Sequence, residues 1–522
     1  MLLSARQGSL ARATLILMAS FIASRLLGLV RESVLAYQFG TNPDYGAYLA
    51  AFRVPDFLFN VIGAGAIGSA FIPVFAAALA RREQDDAWRL ASAIMNLLTV
   101  FLILGAVVTA IFAPQITTQL IVPEYPPEEQ ALTAALVRVM LVSPVLFGVS
   151  GLIMAILNSH QRFFLPSLSP IVYNLAIIFG ATVLAPLGLG VRGLAAGVVI
   201  GSALHLGVQL PGLRRIPNTY FWTFGRHNQR VREVGRLLGP RVLGMAAVQI
   251  NFIVNVNLAS RLPDGPARVA ALSYAWMLLM LPVGVFAQSI AQAVFPTFSA
   301  QVGRGDRDAL RDTFTYLLRL ILFVSVPATV GLIMLRVPYI QLLFQRGQFT
   351  AESTALTAYT LQFFALGLVA HCALEIVTRA YYALHDTQTP VVFSVAAMAL
   401  NVGLSLLLIT PLEQGGLALA NSIATTVEAL ALVFILRRRL GGVEGESLWP
   451  SLARTVAASA VMGVVLGAVL LLLRPWPGAL VAIVGTIAGG AAYLAAAYAL
   501  GAPEMTLVRR AAGRFVPRLA PH

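Results

Sequence analysis

Ala155-Ile156-Leu157-Asn158 closes one long apolar run, and a Pro-led run carrying Asn174 follows it. The same order returns as Tyr382-Ala383-Leu384-His385, ahead of a Pro-led run carrying Asn401. The next run opens Gly193-Leu194-Ala195 in one half and Gly416-Leu417-Ala418 in the other. Nearer the N-terminus, Arg25-Leu26-Leu27-Gly28 is echoed by Arg241-Val242-Leu243-Gly244. Phe71-Ile72-Pro73-Val74-Phe75 is likewise echoed by Val294-Phe295-Pro296-Thr297-Phe298. Six apolar runs therefore match six others. An even number per repeat leaves both copies in one orientation, as two lobes related by an axis along the membrane normal, with a substrate site expected between them near the midplane.

Composition names the solvent. Of 522 residues, 58% are hydrophobic and only 11% charged, where a soluble chain carries about 25% charge. The first apolar run, starting near Leu10, is too long for a signal peptide's apolar core and lacks a small-residue cleavage site, so it reads as a retained helix. All 36 basic residues are Arg, and the net charge is +14. Nucleic acid is the usual partner of such a charge in a soluble protein. Here the arginines sit in short loops between apolar runs, the pattern of anchoring against anionic lipid. The single Cys372 lies in an apolar run and reads as packing.

A span needs roughly 20 apolar residues, and fourteen candidates can be drawn, from Leu10–Gln38 and Asp44–Ala80 to Ala453–Leu473 and Ala479–Leu500. With the N-terminus inside, 24 Arg fall in inner segments, 6 in outer ones and 6 within spans. Adding or removing one span would invert half of that asymmetry. The expected fold is an all-α integral membrane protein of about fourteen transmembrane helices. Residues 1–215 and 216–440 would form two six-helix lobes of a parallel repeat; residues 441–522 add two helices and a basic tail.

Ionisable groups inside spans are expensive and tend to be functional. The first span carries Ser24-Arg25-Leu26-Leu27-Gly28-Leu29-Val30-Arg31-Glu32. At about 100° per residue, Arg25 and Glu32 share a face, while Arg31 points elsewhere unless Gly28 permits a bend or local unwinding. The alternative is that Arg31 and Glu32 snorkel to the outer interface. Arg53 precedes the helix-breaking Pro55 in span two, and Arg241 opens span seven at the repeat position of Arg25. Arg241 reads either as a cavity residue or as a snorkelling one. Glu375 and Arg379 read either as an internal pair four residues apart or as substrate ligands. Fixed guanidinium forks suit an anionic substrate such as a pyrophosphate. No Walker, Gly-x-Ser-x-Gly or His-x-x-Glu-His pattern is present, which argues against enzyme chemistry, a metal and an ATP motor. His205 and His371 stand singly on apolar helices and read as hydrogen-bonded core residues.

Four blocks together resemble a known family. They are Ser24-Arg25 through Arg31-Glu32, Ile156-Leu157-Asn158 through Arg162-Phe163, Leu343-Phe344-Gln345-Arg346-Gly347-Gln348-Phe349-Thr350, and Tyr382 through Pro390. The family is the MurJ (MviN) lipid II flippases, of the multidrug/oligosaccharidyl-lipid/polysaccharide exporter superfamily. The resemblance implies a bacterial cytoplasmic-membrane transporter, both termini cytoplasmic, with no cofactor. It would carry undecaprenyl-pyrophosphate-linked disaccharide pentapeptide outward for peptidoglycan synthesis. Arg25 and Arg31 match the family's cavity arginines, Glu32 its following acid, and the last two helices would line a groove for the polyprenyl tail. Departures are Phe59-Asn60 for a basic pair, Ala64 for a Glu, Met277 for an arginine, and Gly46 for an acid with Asp44 two residues earlier. Arg53 and Arg241 are candidates to compensate. Where sodium-coupled members place carboxylates, this chain offers Asn255, Asn401 and Ser405, so no tight sodium site is expected. A polysaccharide-repeat flippase is the nearest rival reading; a cation or drug antiporter would want an acidic cavity.

Overall fold

The computed structural model describes residues 23–64, 71–217, 219–226, 228–442 and 445–506. Every regular element among them is a helix. Nine of these helices are long and apolar enough to cross a membrane, or ten if one pair bent by 48° is taken as a single span. Their apolar faces stand in the open: Phe101, Leu104, Val108 and Ile111, all on Gln84–Ile111, are each more than half exposed. Only a non-aqueous solvent tolerates so continuous a patch. The chain is a multi-pass membrane protein.

It divides into two compact units, one holding residues up to Ala270 with Arg346–Phe349, the other Ala271–Gln345 with the chain from Thr350 onward. The first contains α1 (residues 23–39), α2 (Pro43–Leu58), α3 (Ile72–Ala80), α4 (Gln84–Ile111), α5 (Pro127–Met140), α6 (Val142–Ser159), α7 (Phe164–Phe179), α8 (Val191–Gly207) and α9 (Gln229–Ser260). The expected span Leu10–Gln38 is thus described only from residue 23, and Asp44–Ala80 is interrupted by residues outside the description. α9 was expected to open the second lobe, and it packs here against α2 and the turns that follow it.

Local chemistry sets the breaks. Asn42 caps α2, its Oδ1 accepting from the Tyr45 amide at 2.8 Å, the usual service of an N-cap side chain. Pro55 withholds a donor from α2, and the helix then widens into π-type turns over Phe59–Ala64. The loop Arg346–Phe349 returns to the end of α1, where the Gln348 amide donates to the Tyr37 carbonyl at 2.9 Å. A Cβ on Gly347 would stand 2.4 Å from that carbonyl oxygen, and one on Gly40 would stand 2.2 Å from the Gln348 carbonyl. Both residues have positive φ, so this meeting of two main chains requires glycine twice.

α10 (Gly265–Pro282) carries the chain onward to α11 (Ser289–Gly303), α12 (Arg307–Met334), α13 (Arg336–Leu343), α14 (Ala351–Ala365), α15 (Leu368–Ala383) and α16 (Gln388–Arg439). α17 (Gly445–Leu472) and α18 (Gly478–Ala499) follow and pack on α12 around Phe323, Met462, Leu466 and Tyr493. Beneath that cluster one oxygen of Glu504 accepts from Arg319 Nε at 2.9 Å, Arg319 Nη2 at 2.7 Å and Ser451 at 2.8 Å.

α16 runs 52 residues, about 78 Å at 1.5 Å per residue and more than twice the hydrocarbon thickness. It is a hairpin of two spans: Glu413 leaves helical geometry, and a Cβ on Gly416 would stand 2.2 Å from the Leu408 carbonyl. In the first unit Gly193 meets the backbone of Leu184 and Ala185 in the same way, beyond the left-handed Gly188 and Gly190.

The repeat extends to the turns that close α6 and α15. α6 ends on left-handed Gln161, with the Arg162 amide bonded to the Leu157 carbonyl at 2.9 Å; α15 ends on left-handed His385, with Asp386 bonded to Tyr381 at 3.0 Å. These are matching Schellman-type closures. Arg162 then reaches the Arg215 carbonyl at 3.1 Å, and Asp386 pairs with Arg439. Both partners lie 53 positions onward. The caps make Gln161, rather than Asn158, the counterpart of His385. Asn174 and Asn401 are consequently not equivalent, although the runs containing them are.

Candidate functional site

A cavity of about 520 Å³ lies within the first unit, walled by α1, α2, α6, α7 and α8. Its polar groups come from distant parts of the chain. α1 contributes Arg31 and Glu32, α2 Tyr48 and Asp56, α7 Tyr173, and α8 His205. Aromatic rings fill the space between them: Phe147 packs against Phe59, Tyr173 and His205 with centroids 5.4, 5.0 and 5.2 Å away.

Arg31 does not snorkel. Its Nε and Nη2 both donate to Glu32, and its Nη1 donates to Asn174 Oδ1 at 2.9 Å. Asn174 is oriented for this because its amide nitrogen donates to the Pro170 carbonyl at 2.9 Å. The guanidinium is therefore held by the protein on every nitrogen. Asp56 accepts from Asn60 at 2.8 Å and hydrogen-bonds Gln249 of α9. With one guanidinium and two carboxylates on its wall, this cavity is not the basic chamber expected from the sequence.

The other expected site residues are dispersed. α1 stays helical through Gly28, with no unwinding, and nothing lies within 4 Å of a Cβ placed there. Ser24 is half-buried and Arg25 exposed on the same helix. Arg53 stacks on Phe252 of α9, its guanidinium carbon 5.0 Å from the ring centroid, and its buried Nε has no hydrogen-bond partner among the described residues. Asp44 lines a separate 420 Å³ pocket with Glu128, Glu129 and Arg192. Arg241 is helical, and its side chain lies outside the described residues. In the second unit Glu375 and Arg379 pair at 3.6 Å, with Gln288 donating to Glu375 at 3.3 Å. Asn401 and Ser405 bond each other at 3.2 Å.

One network on the wall was missed by sequence reasoning. Ser150 Oγ lies 2.7 Å from His205 Nδ1, and Gln209 Nε2 donates to Ser150 Oγ at 2.7 Å and to the His205 carbonyl at 3.0 Å. The only available signal was a His and a Gln one helical turn apart on an apolar run. At the turn after α15, burial opposes ionisation of Asp386, but Thr389, through hydroxyl and amide, together with Arg439, overrides it and brings the carboxyl down to about 2.

The family model for lipid II flippase MurJ matches residues 35–485. A probable lipid II flippase MurJ of Rhizobium meliloti is 29% identical, with 94% of each chain covered. The corresponding protein of Bdellovibrio bacteriovorus is 30% identical, with 95% of each covered. Among solved structures, a lipid II flippase MurJ in an inward closed conformation superposes with a TM-score of 0.80 at 24% identity, covering 95% of this chain and 100% of that one. An inward-facing MATE-family multidrug transporter of the MOP superfamily gives 0.67 at 17% identity, covering 80% and 94%. Helical hairpins, duplicated turns and a charged intramembrane wall thus coincide with a match over most of the chain: it belongs to the MurJ family of lipid II flippases.

Proposed function

We propose that the chain translocates lipid II from the inner to the outer leaflet of the bacterial cytoplasmic membrane by alternating access. The observation that carries this reading is family membership over residues 35–485, joined to an arginine fixed inside a membrane-embedded wall by Glu32 and Asn174. A half-buried guanidinium fixed in this way sets a positive charge beside the path that a pyrophosphate must take. The cationic share of the site is assigned to Arg25, Arg31, Arg53 and Arg241, with Glu32 as the counter-charge of Arg31. Ser24 and Gly28 shape the same helix, and Asp44 stands at its outer end. The proposed topology has fourteen crossings with both termini cytoplasmic. Its lobes are residues 1–215 and 216–440, followed by a two-helix addition. α17 and α18, packed on α12, offer the surface for the polyprenyl tail.

Complementation decides the matter. Expression in a bacterium depleted of its own lipid II flippase should restore growth and the outer-leaflet exposure of lipid II. Failure of a correctly inserted chain to restore either would overturn the reading.

A further inference from the structure

We infer that the cavity in the first unit receives the uncharged sugar of the lipid-linked substrate, with His205 as a hydrogen-bond donor to a ring hydroxyl or N-acyl oxygen. The inference rests on the lipid II reading and narrows it to one part of the molecule. Volume comes first. The cavity is about 520 Å³, within the range of roughly 300–1,000 Å³ in which proteins enclose small ligands. Charge comes second. One guanidinium faces two carboxylates, and all three of its nitrogens are already engaged by Glu32 and Asn174. With Arg53 acting on Asp56 from outside the lining, the four charges balance, so a pyrophosphate would find no free positive charge here, whereas a neutral ring needs none.

The third argument is the direction of a proton. Gln209 Nε2 bonds the His205 carbonyl, which can only accept, so that atom is the amide nitrogen. Its second hydrogen goes to Ser150 Oγ. The hydroxyl hydrogen of Ser150 then has one acceptor among the described residues, His205 Nδ1 at 2.7 Å. Nδ1 accepts, and Nε2 must carry the hydrogen. His205 is 9% exposed and lines the cavity, and Nε2 has no partner among the described residues. The Tyr48 and Tyr173 hydroxyls, on the same wall, also lack hydrogen bonds among those residues. The wall therefore presents three donors, two carboxylate acceptors and flat aromatic faces. Such a set suits a pyranose, whose hydroxyls both donate and accept and whose C–H face packs on rings. Ser150 and Gln209 are positioning residues that set the tautomer.

The test compares lipid II with undecaprenyl pyrophosphate, which lacks both sugar and peptide, on the full chain in lipid nanodiscs, and repeats the lipid II arm with the peptide-free disaccharide lipid. His205→Phe should weaken lipid II binding about tenfold, the weight of one desolvated hydrogen bond, and leave undecaprenyl pyrophosphate within about twofold. His205→Gln places an amide nitrogen where Nε2 stood and should retain most of the preference. Ser150→Ala should lower the preference and also move the ¹⁵N resonances of His205, which a purely structural role would not do. Equal losses for both lipids, or no loss for either in folded variants, overturn the inference. Wild type that binds both lipids equally also overturns it, while leaving transport intact. Wild type that does not flip lipid II overturns the functional reading itself.

Discussion

Removing Arg319 should cost more than removing its partner, and removing both should cost almost nothing. Glu504 is 3% exposed at its side chain and Arg319 18%, and a single carboxylate oxygen takes both guanidinium bonds and that of Ser451. Arg319→Met leaves a nearly sealed carboxylate with only Ser451 to solvate it. Breaking such a pair from one side costs roughly 3–5 kcal/mol. Glu504→Gln keeps an acceptor for Ser451 and leaves a guanidinium that can swing toward headgroups, so about 2–3 kcal/mol is expected. The combined Arg319→Met, Glu504→Gln protein has no orphaned charge and should lie within about 1 kcal/mol of wild type. That corresponds to a coupling of several kcal/mol in a double-mutant cycle. Equilibrium unfolding of the purified chain in mixed micelles measures each corner. If the double variant loses the sum of the two single losses, the two groups are not coupled, and the reasoning fails.

Arg25→Ala and Arg31→Ala should each abolish lipid II flipping without preventing insertion, and Lys should rescue poorly for want of a fork; full activity of both alanine proteins would count against an anionic substrate. Gly416→Ala places a Cβ 2.2 Å from the Leu408 carbonyl, so the hairpin of α16 must open and the unfolding temperature should fall by several degrees, whereas Ala at Gly403, where nothing lies within 4 Å, should be tolerated. Asp386 is held at about 2 by Thr389 and Arg439 despite burial, so its stabilising share is present above the ordinary carboxylate range near pH 4 and drains away as pH falls toward 2. Asp386→Asn should flatten that acid limb of the stability profile, and an unchanged limb would refute the assignment. Single cysteines in a Cys372→Ser background should label the 114–130 loop and the 304–311 loop from opposite sides of the membrane.

The all-helical, multi-pass character could be read from apolar run lengths and the duplicated turns, because a bilayer permits only a few ways to satisfy a backbone. The limits have physical causes too. Local letter matching paired Asn158 with His385, whereas the hydrogen-bonded caps pair Gln161 with His385; a three-residue slip in an apolar helix leaves the composition almost unchanged. Arg31 and Glu32 were legible as intramembrane charges, yet the anchor Asn174 lies 143 positions away, and periodicity says which face is polar without saying what it meets. Arg53 was weighed as a partner of Asp56, whose charge it does feel, but its stacking on Phe252 of α9 was not foreseen. That helix was assigned by sequence symmetry to the other half. Symmetry of sequence and grouping by packing are different partitions, and the helix between them is where the reading of the site faltered.

The loop at Arg346–Phe349 meets α1 through two stretches of bare main chain, one amide–carbonyl bond and two glycines with no space for a methyl. An amide–carbonyl bond has no charge to titrate and little to screen. Salt or acid, which loosen an ion pair, leave these main-chain contacts unchanged, and substitution of neighbouring side chains cannot tune them gradually. The fit is steric as well as polar, since a methyl on either glycine would stand within 2.4 Å of the opposing carbonyl oxygen.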